Sequence, residues 1–409
     1  MNPSPASHVE SLIIPGSSKI VLLVLDGVGD LPNREHSGQT PLEAAKTPNL
    51  DAIAPEAELG RLIPVAPGIT PGSGPGHLAL FGYDPLTHLV GRGMLEALGA
   101  AIPLQPGDVA ARANFCTIDA ASIVTDRRAG RIASDVCERL VTRLQAEATR
   151  FEDVEVILQS GKGHRFVAVL RGPGLGGDVS DADPHKEGKP IPAARALTGG
   201  DANDKTARIV NAFIARALDV LSSESPANAA MMRGLSARPH FAGYLERFGL
   251  RAAAIAAYPM YRGVAELAGM DRFIPKGEDA AAAFAEAGRI WAEHDYVFIH
   301  IKGTDMAGED GDFRRKVEVI EQVDAALPSL LALRPDVLAI TGDHSTPVAM
   351  KGHSWHPVPV LLRSSVAFAD GHPRFHEKHC RAGSLGTLAS KHLIAVLLAN
   401  AGRLDKYGA

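Results

Sequence analysis

Three short apolar runs constrain the fold of this 409-residue chain more than any other feature. They cover residues 20–25, 297–301 and 337–341, and they are rich in Ile, Val and Leu. Continuous apolar runs of this length are typical of parallel β-strands that are buried on both faces. In parallel α/β sheets, ligands bind beyond the carboxyl ends of the strands. The sequence therefore predicts an α/β fold with a site at one edge of its sheet.

The residues that follow the three runs are of types that bind divalent metal ions. Each alone has an ordinary structural interpretation, such as the cap of a turn or a solvated acidic loop. Their joint occurrence after three strands instead predicts a two-metal site, the usual machinery of phosphoryl displacement. Carboxylates and imidazoles suit Mn²⁺, Zn²⁺ or Mg²⁺. The candidate ligands are Asp26 after the first run, Asp305 and Glu309 after the second, and Asp343, His344 and His353 after the third.

The segment that contains Asp305 and Glu309 leaves two local structures open. Their spacing would place both side chains on one face of a helix. Gly308 and Gly311 favour a loop instead. Taken alone, the acidic stretch 309–312 fits a solvated turn better than a pair of ligands.

Ser73 is the candidate nucleophile. It lies between Gly72 and Gly74, which keep the approach to its hydroxyl open, and the following residues predict a helix that begins here. Free N–H groups at a helix N-terminus favour an anion such as phosphate. The segment is not a Walker loop, because no Gly-Lys-Ser/Thr follows it.

The middle of the chain carries basic residues that would suit an anionic substrate. Arginine binds phosphate and carboxylate through two parallel hydrogen bonds. Ordinary surface arginines are the alternative interpretation for part of this set. The candidate substrate-binding residues are Arg127, Arg128, Arg131, His164, Arg165, Arg233 and Arg238.

The distribution of these residues predicts the domain organisation. The candidate metal ligands lie before about residue 100 and after about residue 250, whereas the mixed α+β middle carries none of them. We therefore predict a metal-binding core made of residues 19–107 and 223–409, split by an inserted substrate-binding domain at 108–222. Residues 1–18, rich in proline and serine, are predicted to form a flexible arm.

Bulk properties restrict the partners and the compartment. The net charge of −5 gives no reason to expect nucleic acid or an anionic membrane surface as a partner. We find neither a signal peptide nor an apolar run of the roughly 20 residues that would span a bilayer. The three cysteines have no metal-binding spacing and are predicted to be reduced thiols in a cytoplasmic protein. The sequence does not predict the oligomeric state.

Several motifs occur in the order found in one known family. The chain resembles the archaeal-type, cofactor-independent phosphoglycerate mutases of the alkaline phosphatase superfamily, and the resemblance covers nearly all residues after the arm. Because the motifs are long and ordered, they are highly specific. They occupy residues 25–30, 47–51, 70–73, 77–85, 91–93, 126–131, 181–186, 302–305 and 342–347.

The resemblance implies both a fold and an activity. The expected fold is an alkaline-phosphatase-like core with a central, mostly parallel sheet flanked by helices, plus a smaller inserted α+β domain. The expected enzyme is an isomerase, a metal-dependent phosphotransferase of glycolysis that interconverts 3-phosphoglycerate and 2-phosphoglycerate. Its substrate is a small phosphorylated acid, and it needs no bisphosphoglycerate.

The resemblance also implies roles for individual residues. Ser73 would take the phosphoryl group as phosphoserine and, with Asp26, form the catalytic pair. Two divalent ions are expected, with Mn²⁺ ahead of Mg²⁺ or Zn²⁺. One ion would be held by Asp26, Ser73, Asp343 and His344, and the other by Asp305, Glu309 and His353.

Two departures from the family pattern keep alternatives open. The family has histidine where this chain has Glu309, and residues 258–262 are bulkier than expected and lack an expected lysine. Glutamate is a harder ligand and favours Mn²⁺ or Mg²⁺ over Zn²⁺. The first alternative is a metal-dependent phosphohydrolase or mutase that acts on another small phosphate or phosphonate ester. The second is a catalytically silent protein that binds a ligand.

Overall fold

The computed structural model describes residues 5–408 of the chain. These residues divide into two compact units. The first unit combines the residues up to Leu89 with those from Phe241 onward, and the second is continuous from Val90 to His240.

Fourteen β-strands occur in the described residues. In chain order they are β1 (Ile20–Leu25), β2 (Glu58–Ile63), β3 (Val109–Ile118), β4 (Val124–Asp126), β5 (Arg150–Phe151), β6 (Val154–Ser160), β7 (Arg165–Arg171), β8 (Ala229–Ala237), β9 (Ala252–Ala256), β10 (Asp271–Phe273), β11 (Tyr296–Ile301), β12 (Val337–Thr341), β13 (Val358–Ser364) and β14 (Gly386–Ala389).

The same part of the chain contains fourteen α-helices. None of these helices is long and apolar enough to cross a membrane. In chain order they are α1 (Pro5–Glu10), α2 (Pro41–Ala44), α3 (Pro48–Ile53), α4 (Ser73–Leu80), α5 (Arg92–Gly99), α6 (Ser134–Glu147), α7 (Asp201–Leu221), α8 (Tyr244–Phe248), α9 (Pro259–Leu267), α10 (Ala280–Ile290), α11 (Gly303–Asp310), α12 (Phe313–Leu331), α13 (Glu377–Ala382) and α14 (Leu393–Asn400).

The first unit is built around an eight-stranded sheet in the order β10-β9-β11-β1-β12-β13-β2-β14. Its neighbouring strands pair in parallel, except that β13 runs antiparallel to both β12 and β2. The three apolar runs of the sequence form the adjacent strands β11, β1 and β12. The register aligns Leu25 with Ile301 and Val24 with Thr341, so these strands end together at one edge.

The central strands are buried because apolar side chains cover both faces of the sheet. Leu23 and Ile299 belong to a core that includes Phe284 of α10 and Leu327 of α12. On β11, Phe298 meets the ring of Phe81 edge-on, with the ring centroids 4.9 Å apart. Burying each such side chain contributes about 1.5–3 kcal/mol. This apolar packing fixes the positions of the strand ends without a contribution from the polar residues of the site.

The second unit contains a smaller, antiparallel sheet. Its strands follow the order β4-β3-β7-β6-β5, and β8 also pairs with β3. Helices α6 and α7 cover one face, where Leu140 and Phe213 join a core with Val156 of β6. This unit therefore has its own hydrophobic core.

The second unit extends further at both ends than the inserted domain expected at 108–222. Helix α5 lies directly on β3, since a Cβ atom at Gly93 would come within 2.3 Å of the carbonyl oxygen of Ala110. Strand β8 pairs with β3 along most of its length, from Val109↔Ala237 to Cys116↔Ala229. Helix α5 and strand β8 therefore belong to the second unit, together with β3.

The N-terminal segment is attached to the first unit where the structure describes it. Residues 5–10 form α1, and Glu10 accepts a hydrogen bond of 2.7 Å from Arg247 Nε. Ile13 forms an isolated β-bridge with Leu404. The sequence predicted a flexible arm at residues 1–18, whereas the structure shows a helix and contacts to the first unit within this segment. Residues 1–4 of the expected arm lie outside the described residues.

The C-terminal segment contains both a strand and a helix. Gly386–Ala389 forms β14, and α14 begins only at Leu393. Strand β14 pairs in parallel with β2 and forms one edge of the sheet. The backbone groups of β2 provide hydrogen-bond partners that no local helical pattern reveals.

Candidate active site

The carboxyl edge of β11, β1 and β12 gathers the candidate metal ligands. Asp26 follows β1 directly, and Asp343 and His344 follow β12. The ligand atoms of these three residues lie within 4.8 Å of one another. The nitrogen Nε2 of His344 is 3.2 Å from Asp26 Oδ1 and 3.2 Å from Asp343 Oδ2. These three residues form the first metal group.

A second group of possible ligands consists of Asp305, His344 and His353. His353 Nε2 lies 3.5 Å from Asp305 Oδ1, and its ring stacks on that of His344 with centroids 3.7 Å apart. Thr346 Oγ1 donates a hydrogen bond of 2.6 Å to Asp305 Oδ1. We call these residues the second metal group; it shares His344 with the first.

Glu309 lies at the margin of the second metal group. Its Oε1 is 3.7 Å from His353 Nε2, and its side chain is 54% exposed. It lies on α11 with Asp305, where the sequence favoured a loop. The glycines have other roles: Gly311 ends the helix with a φ of 75°, and a Cβ at Gly308 would come within 2.4 Å of the carbonyl oxygen of Thr346. The helix was therefore the correct alternative.

Ser73 lies beside the first metal group. It is the first residue of α4, as the sequence predicted, and its Oγ is 3.3 Å from His344 Nε2. One turn later on α4, His77 Nδ1 is 2.8 Å from the carbonyl oxygen of Ser73 and 3.2 Å from Asp343 Oδ2. Both partners are acceptors, so Nδ1 of His77 carries the hydrogen. His77 thereby links the candidate nucleophile to a candidate metal ligand.

Asp26 keeps its charge in spite of complete burial. Burial acts to raise the pKa of Asp26, but hydrogen bonds from His300 and His344 and the charge of Lys302 bring it well below its usual range. His300 Nε2 is 2.9 Å from Asp26 Oδ2. Lys302 Nζ lies 3.1 Å from Asp26 Oδ2 and 2.5 Å from Asp305 Oδ2. The site therefore stabilises carboxylates in their metal-binding form.

Two buried oxygen atoms support the assignment of a cation site. Asp26 Oδ1 and Asp343 Oδ2 accept no hydrogen bond of good geometry within the described residues, although His344 Nε2 lies 3.2 Å from each. Buried carboxylate oxygens are normally satisfied by a donor or a cation. Burial lowers the pKa of His344, but the charges of Asp343 and Asp26 raise it to about 9. A divalent ion bound there would replace that proton, so the residues present fit a metal ion.

Sequence reasoning assigned no role to three residues at this edge. Lys302, His77 and His300 all contact candidate ligands, although Lys302 and His77 lie within the family motifs. His300 is an inward-facing residue of β11, buried among apolar neighbours. A polar residue in an otherwise apolar strand, one position before its end, was the available signal.

In the second unit, the structure brings six of the seven predicted substrate-binding residues to one pocket. This anion pocket has a volume of about 500 Å³. Arg238 does not line it. Arg127 is oriented by Asp183, whose Oδ1 and Oδ2 lie 2.8 Å and 2.6 Å from Arg127 Nη2. The residues lining the pocket are Arg112, Asn114, Arg127, Arg128, Arg131, Lys162, His164, Arg165 and Arg233.

Arg112 and Asn114 form the floor of the anion pocket and were missed by sequence reasoning. They are two apart on β3, and the strand register pairs Arg112 with Arg233 and Asn114 with Arg165. Both are only 5% exposed. Arg112 Nε and Asn114 Oδ1 are buried and have no hydrogen-bond partner in the part of the chain that the structure describes. Such atoms are expected where a polar ligand completes the site.

The cations of the anion pocket affect one another. Burial, and then the positive charges of Arg233 and Arg165, lower the pKa of Arg112 to about 10, although Glu96 opposes this. The pKa of His164 is lowered by burial and by Arg165. Arg112 is thus charged and His164 neutral at neutral pH. An anion would relieve the repulsion among the guanidiniums.

Comparison with curated proteins identifies the relatives of this chain. A family model described as 2,3-bisphosphoglycerate-independent phosphoglycerate mutase matches residues 54–228. A protein of Thermus thermophilus is 52% identical over 394 residues, which cover 96% of each chain. A protein of Thermotoga sp. is 49% identical over 401 residues, 98% of each chain. Both are named "Probable 2,3-bisphosphoglycerate-independent phosphoglycerate mutase".

Two solved structures share the fold. The cofactor-independent phosphoglycerate mutase from Thermoplasma acidophilum has a TM-score of 0.78 and 30% identity, covering 94% of this chain and 100% of its own. The PH0037 protein from Pyrococcus horikoshii has a TM-score of 0.80 and 30% identity, and the match covers 96% of this chain and 100% of that protein. The predicted α/β fold with a mostly parallel sheet is confirmed. The chain belongs to the 2,3-bisphosphoglycerate-independent phosphoglycerate mutases, a family of isomerases, as its motifs predicted.

Proposed function

We propose that this chain interconverts 3-phosphoglycerate and 2-phosphoglycerate through a phosphoserine formed on Ser73, without added bisphosphoglycerate. The position of Ser73 Oγ carries the proposal: it lies 3.3 Å from a nitrogen of His344, which belongs to both metal groups. The start of α4 supports it, because free backbone N–H groups there favour a phosphoryl anion.

The reaction needs two transfers of the same phosphoryl group. In the first transfer, a bond forms between Ser73 Oγ and phosphorus, and the bond between phosphorus and the C3 oxygen of the substrate breaks. The C3 oxygen takes up the proton that the serine hydroxyl loses. In the second, the C2 oxygen attacks phosphorus and Ser73 Oγ leaves with the proton. No net proton or phosphate is consumed, as an isomerisation requires. His77 would hold the backbone of Ser73 in place during both transfers.

The metal groups provide the electrostatic part of the proposal. Asp26, Asp343 and His344, with Ser73, would hold one divalent ion, and Asp305 and His353, with Glu309, the other. Such ions lower the pKa of a bound hydroxyl and neutralise phosphoryl oxygens. Glu309 would add a hard oxygen ligand to the second metal group, which supports Mn²⁺ or Mg²⁺ over Zn²⁺.

The anion pocket would bind the charged groups of the glycerate. Arg127, Arg128 and Arg131 offer guanidinium groups whose geometry matches carboxylate and phosphate. Arg112 adds a buried donor at the pocket floor, and Asn114 could donate only through its side-chain NH2 group. We also propose the cytoplasm as the compartment, supported by three buried, unpaired cysteines.

The test combines trapping with substitution of the nucleophile. Wild-type protein loaded with Mn²⁺ is mixed with 3-phosphoglycerate, quenched in acid and digested, and the peptide that contains Ser73 is analysed by mass spectrometry. We expect phosphate on Ser73 in the wild type. Ser73→Ala should lose this label and at least about a thousandfold of the turnover rate, with its metal content unchanged.

The control is Ser329→Ala, which removes an exposed serine hydroxyl of α12. It should retain both label and turnover. Mutase activity that survives in Ser73→Ala would contradict the proposal. Release of inorganic phosphate in place of 2-phosphoglycerate would instead support the phosphohydrolase alternative.

A further inference from the structure

A buried lysine outside both metal groups contacts the loops that carry their ligands. Lys316 of α12 is 0% exposed. Its Nζ donates hydrogen bonds to the carbonyl oxygens of Gly27 and Thr346, each at 2.9 Å, and to Asp30 Oδ2 at 2.8 Å. The carbonyl oxygen of Gly29 is 3.4 Å away. All donor positions of the ammonium group are thereby used.

The burial of this ammonium group is costly and is compensated only by its partners. An isolated buried charge is strongly unfavourable unless it is paired and hydrogen-bonded. Asp30 supplies the opposite charge and is itself only 7% exposed. Both oxygens of Asp30 also accept from the backbone N–H of Val348, at 3.2 Å each. The Lys316–Asp30 pair is therefore fixed to two separate loops.

Those two loops carry ligands of both metal groups. The first, residues 26–30, contains Asp26, and its Gly27 N–H donates to Asp343 Oδ1 at 3.2 Å. The second, residues 343–348, contains Asp343 and His344. In the second loop, Thr346 Oγ1 donates to Asp305 Oδ1. A shift of either loop would therefore move ligands of both metal groups.

We propose that Lys316 and Asp30 form a buried clamp that positions the metal-binding loops. Lys316 is a positioning residue, since it contacts backbone carbonyls and one carboxylate that is not a metal ligand. The inference rests on the proposed metal-dependent function, because it assumes that the two groups hold divalent ions. Removing partners that orient metal ligands typically weakens metal binding about 10–100-fold. We expect a change of that size here.

The experiment measures Mn²⁺ binding to the full chain by electron paramagnetic resonance titration. Lys316→Met removes the charge and the hydrogen bonds while keeping an unbranched side chain. It should weaken Mn²⁺ binding at least about tenfold and lower kcat, with KM for 3-phosphoglycerate nearly unchanged. Lys316→Arg, which keeps the charge and can still donate, should recover part of the affinity.

The matched control is Leu327→Ala, on the same helix and equally buried but packed in the apolar core. It should lower thermal stability without lowering Mn²⁺ affinity. Wild-type Mn²⁺ affinity in Lys316→Met, or an equal loss in Leu327→Ala, would overturn the clamp.

If Lys316→Met does not fold, Asp30→Asn decides with the same titration: weakened binding supports the clamp, and unchanged binding overturns it. A wild-type protein that binds Mn²⁺ but does not form 2-phosphoglycerate would refute the proposed function. The titrations would still test the clamp in that case.

Discussion

Asp26 illustrates how single residues prepare the site for a cation. Its carboxylate is fully buried and yet remains ionised, because His300, His344 and Lys302 surround it. Asp343 is held in the same way: burial and Asp26 act to raise its pKa, but the charges of His344 and His77 lower it below its usual range. Charged carboxylates in such a setting bind divalent ions without first losing a proton.

Glu309 gives the sharpest prediction about metal identity. Glu309→His replaces a hard oxygen ligand by a borderline nitrogen ligand beside His353. We expect the ratio of Zn²⁺ to Mn²⁺ affinity to rise by about tenfold or more, measured by competition titration with metal analysis. Glu309→Gln should weaken one of two Mn²⁺ ions.

The control for Glu309 is the neighbouring acid. Asp310→Asn removes one negative charge, as Glu309→Gln does, at the next position of α11. Asp310 belongs to neither metal group. It should leave Mn²⁺ stoichiometry and affinity unchanged. Equal behaviour of the variants at both positions would show that Glu309 acts only as a surface acid.

Arg112 gives a prediction about substrate binding. Arg112→Gln removes a buried charge from the floor of the anion pocket. The loss of one buried, hydrogen-bonded charge costs about 2–5 kcal/mol, so KM for 3-phosphoglycerate should rise at least tenfold while kcat changes less. Steady-state kinetics checks this. Arg216→Gln, which alters an exposed arginine of α7 in the same unit, should leave KM unchanged; a matching increase there would contradict a specific pocket.

At the scale of elements, the beginnings of α2 and α13 meet around one carboxylate. Glu377, the first residue of α13, accepts a hydrogen bond of 2.6 Å from Thr40 Oγ1. Thr40 is the N-cap of α2 and forms a capping box with Glu43. Burial raises the pKa of Glu377 to about 7 from an ordinary value of 4.5, although the hydrogen bond from Thr40 and the charge of Lys316 oppose this.

This contact predicts a pH dependence of stability. The folded state binds the Glu377 proton more tightly than the unfolded state does. The protonated Glu377 therefore contributes to the free energy of unfolding fully below pH 4.5, and this contribution is lost as the pH rises through about 7. The loss is on the order of 3 kcal/mol. Urea unfolding of the metal-free protein across this window should show a slope that Glu377→Gln reduces. Parallel pH curves for the two proteins would contradict the prediction.

The elements also show which signals the sequence contains. Strands β1, β11 and β12 follow from their apolar runs, because a strand buried on both faces needs an unbroken run. Strand β14 does not follow from its local sequence, since its partner β2 is distant in the chain. The floor of the anion pocket depends on pairing between β3, β7 and β8. Arg112 and Asn114 are two positions apart in β3 and therefore share a face, but only the strand register reveals their neighbours.

Helix α11 shows why local rules failed at the site. Glycine within a helix costs stability, which is why Gly308 and Gly311 favoured a loop over the helix that the sequence also left open. Gly308 instead permits close approach of the helix to the loop at Thr346. Such tertiary contacts at functional sites override propensity, and one sequence does not reveal them. The positions of the candidate metal ligands after the strand ends were nevertheless predictable, because chemistry and topology restrict them strongly.

At the scale of the whole molecule, the two units carry different chemistry. The first contains Ser73 and both metal groups, and the second contains the anion pocket. Family membership rests on relatives that match nearly the entire chain. The account therefore predicts one isomerase activity that needs both the nucleophile and the basic residues.

The most direct test follows the substrate itself by ³¹P NMR. Catalytic amounts of the Mn²⁺-loaded chain are incubated with 3-phosphoglycerate without bisphosphoglycerate, and samples are quenched with a chelator before each spectrum. The account predicts that the 3-phosphoglycerate signal declines while the 2-phosphoglycerate signal grows to equilibrium, with no inorganic phosphate. No 2-phosphoglycerate from protein with confirmed bound metal, or only inorganic phosphate, would contradict it.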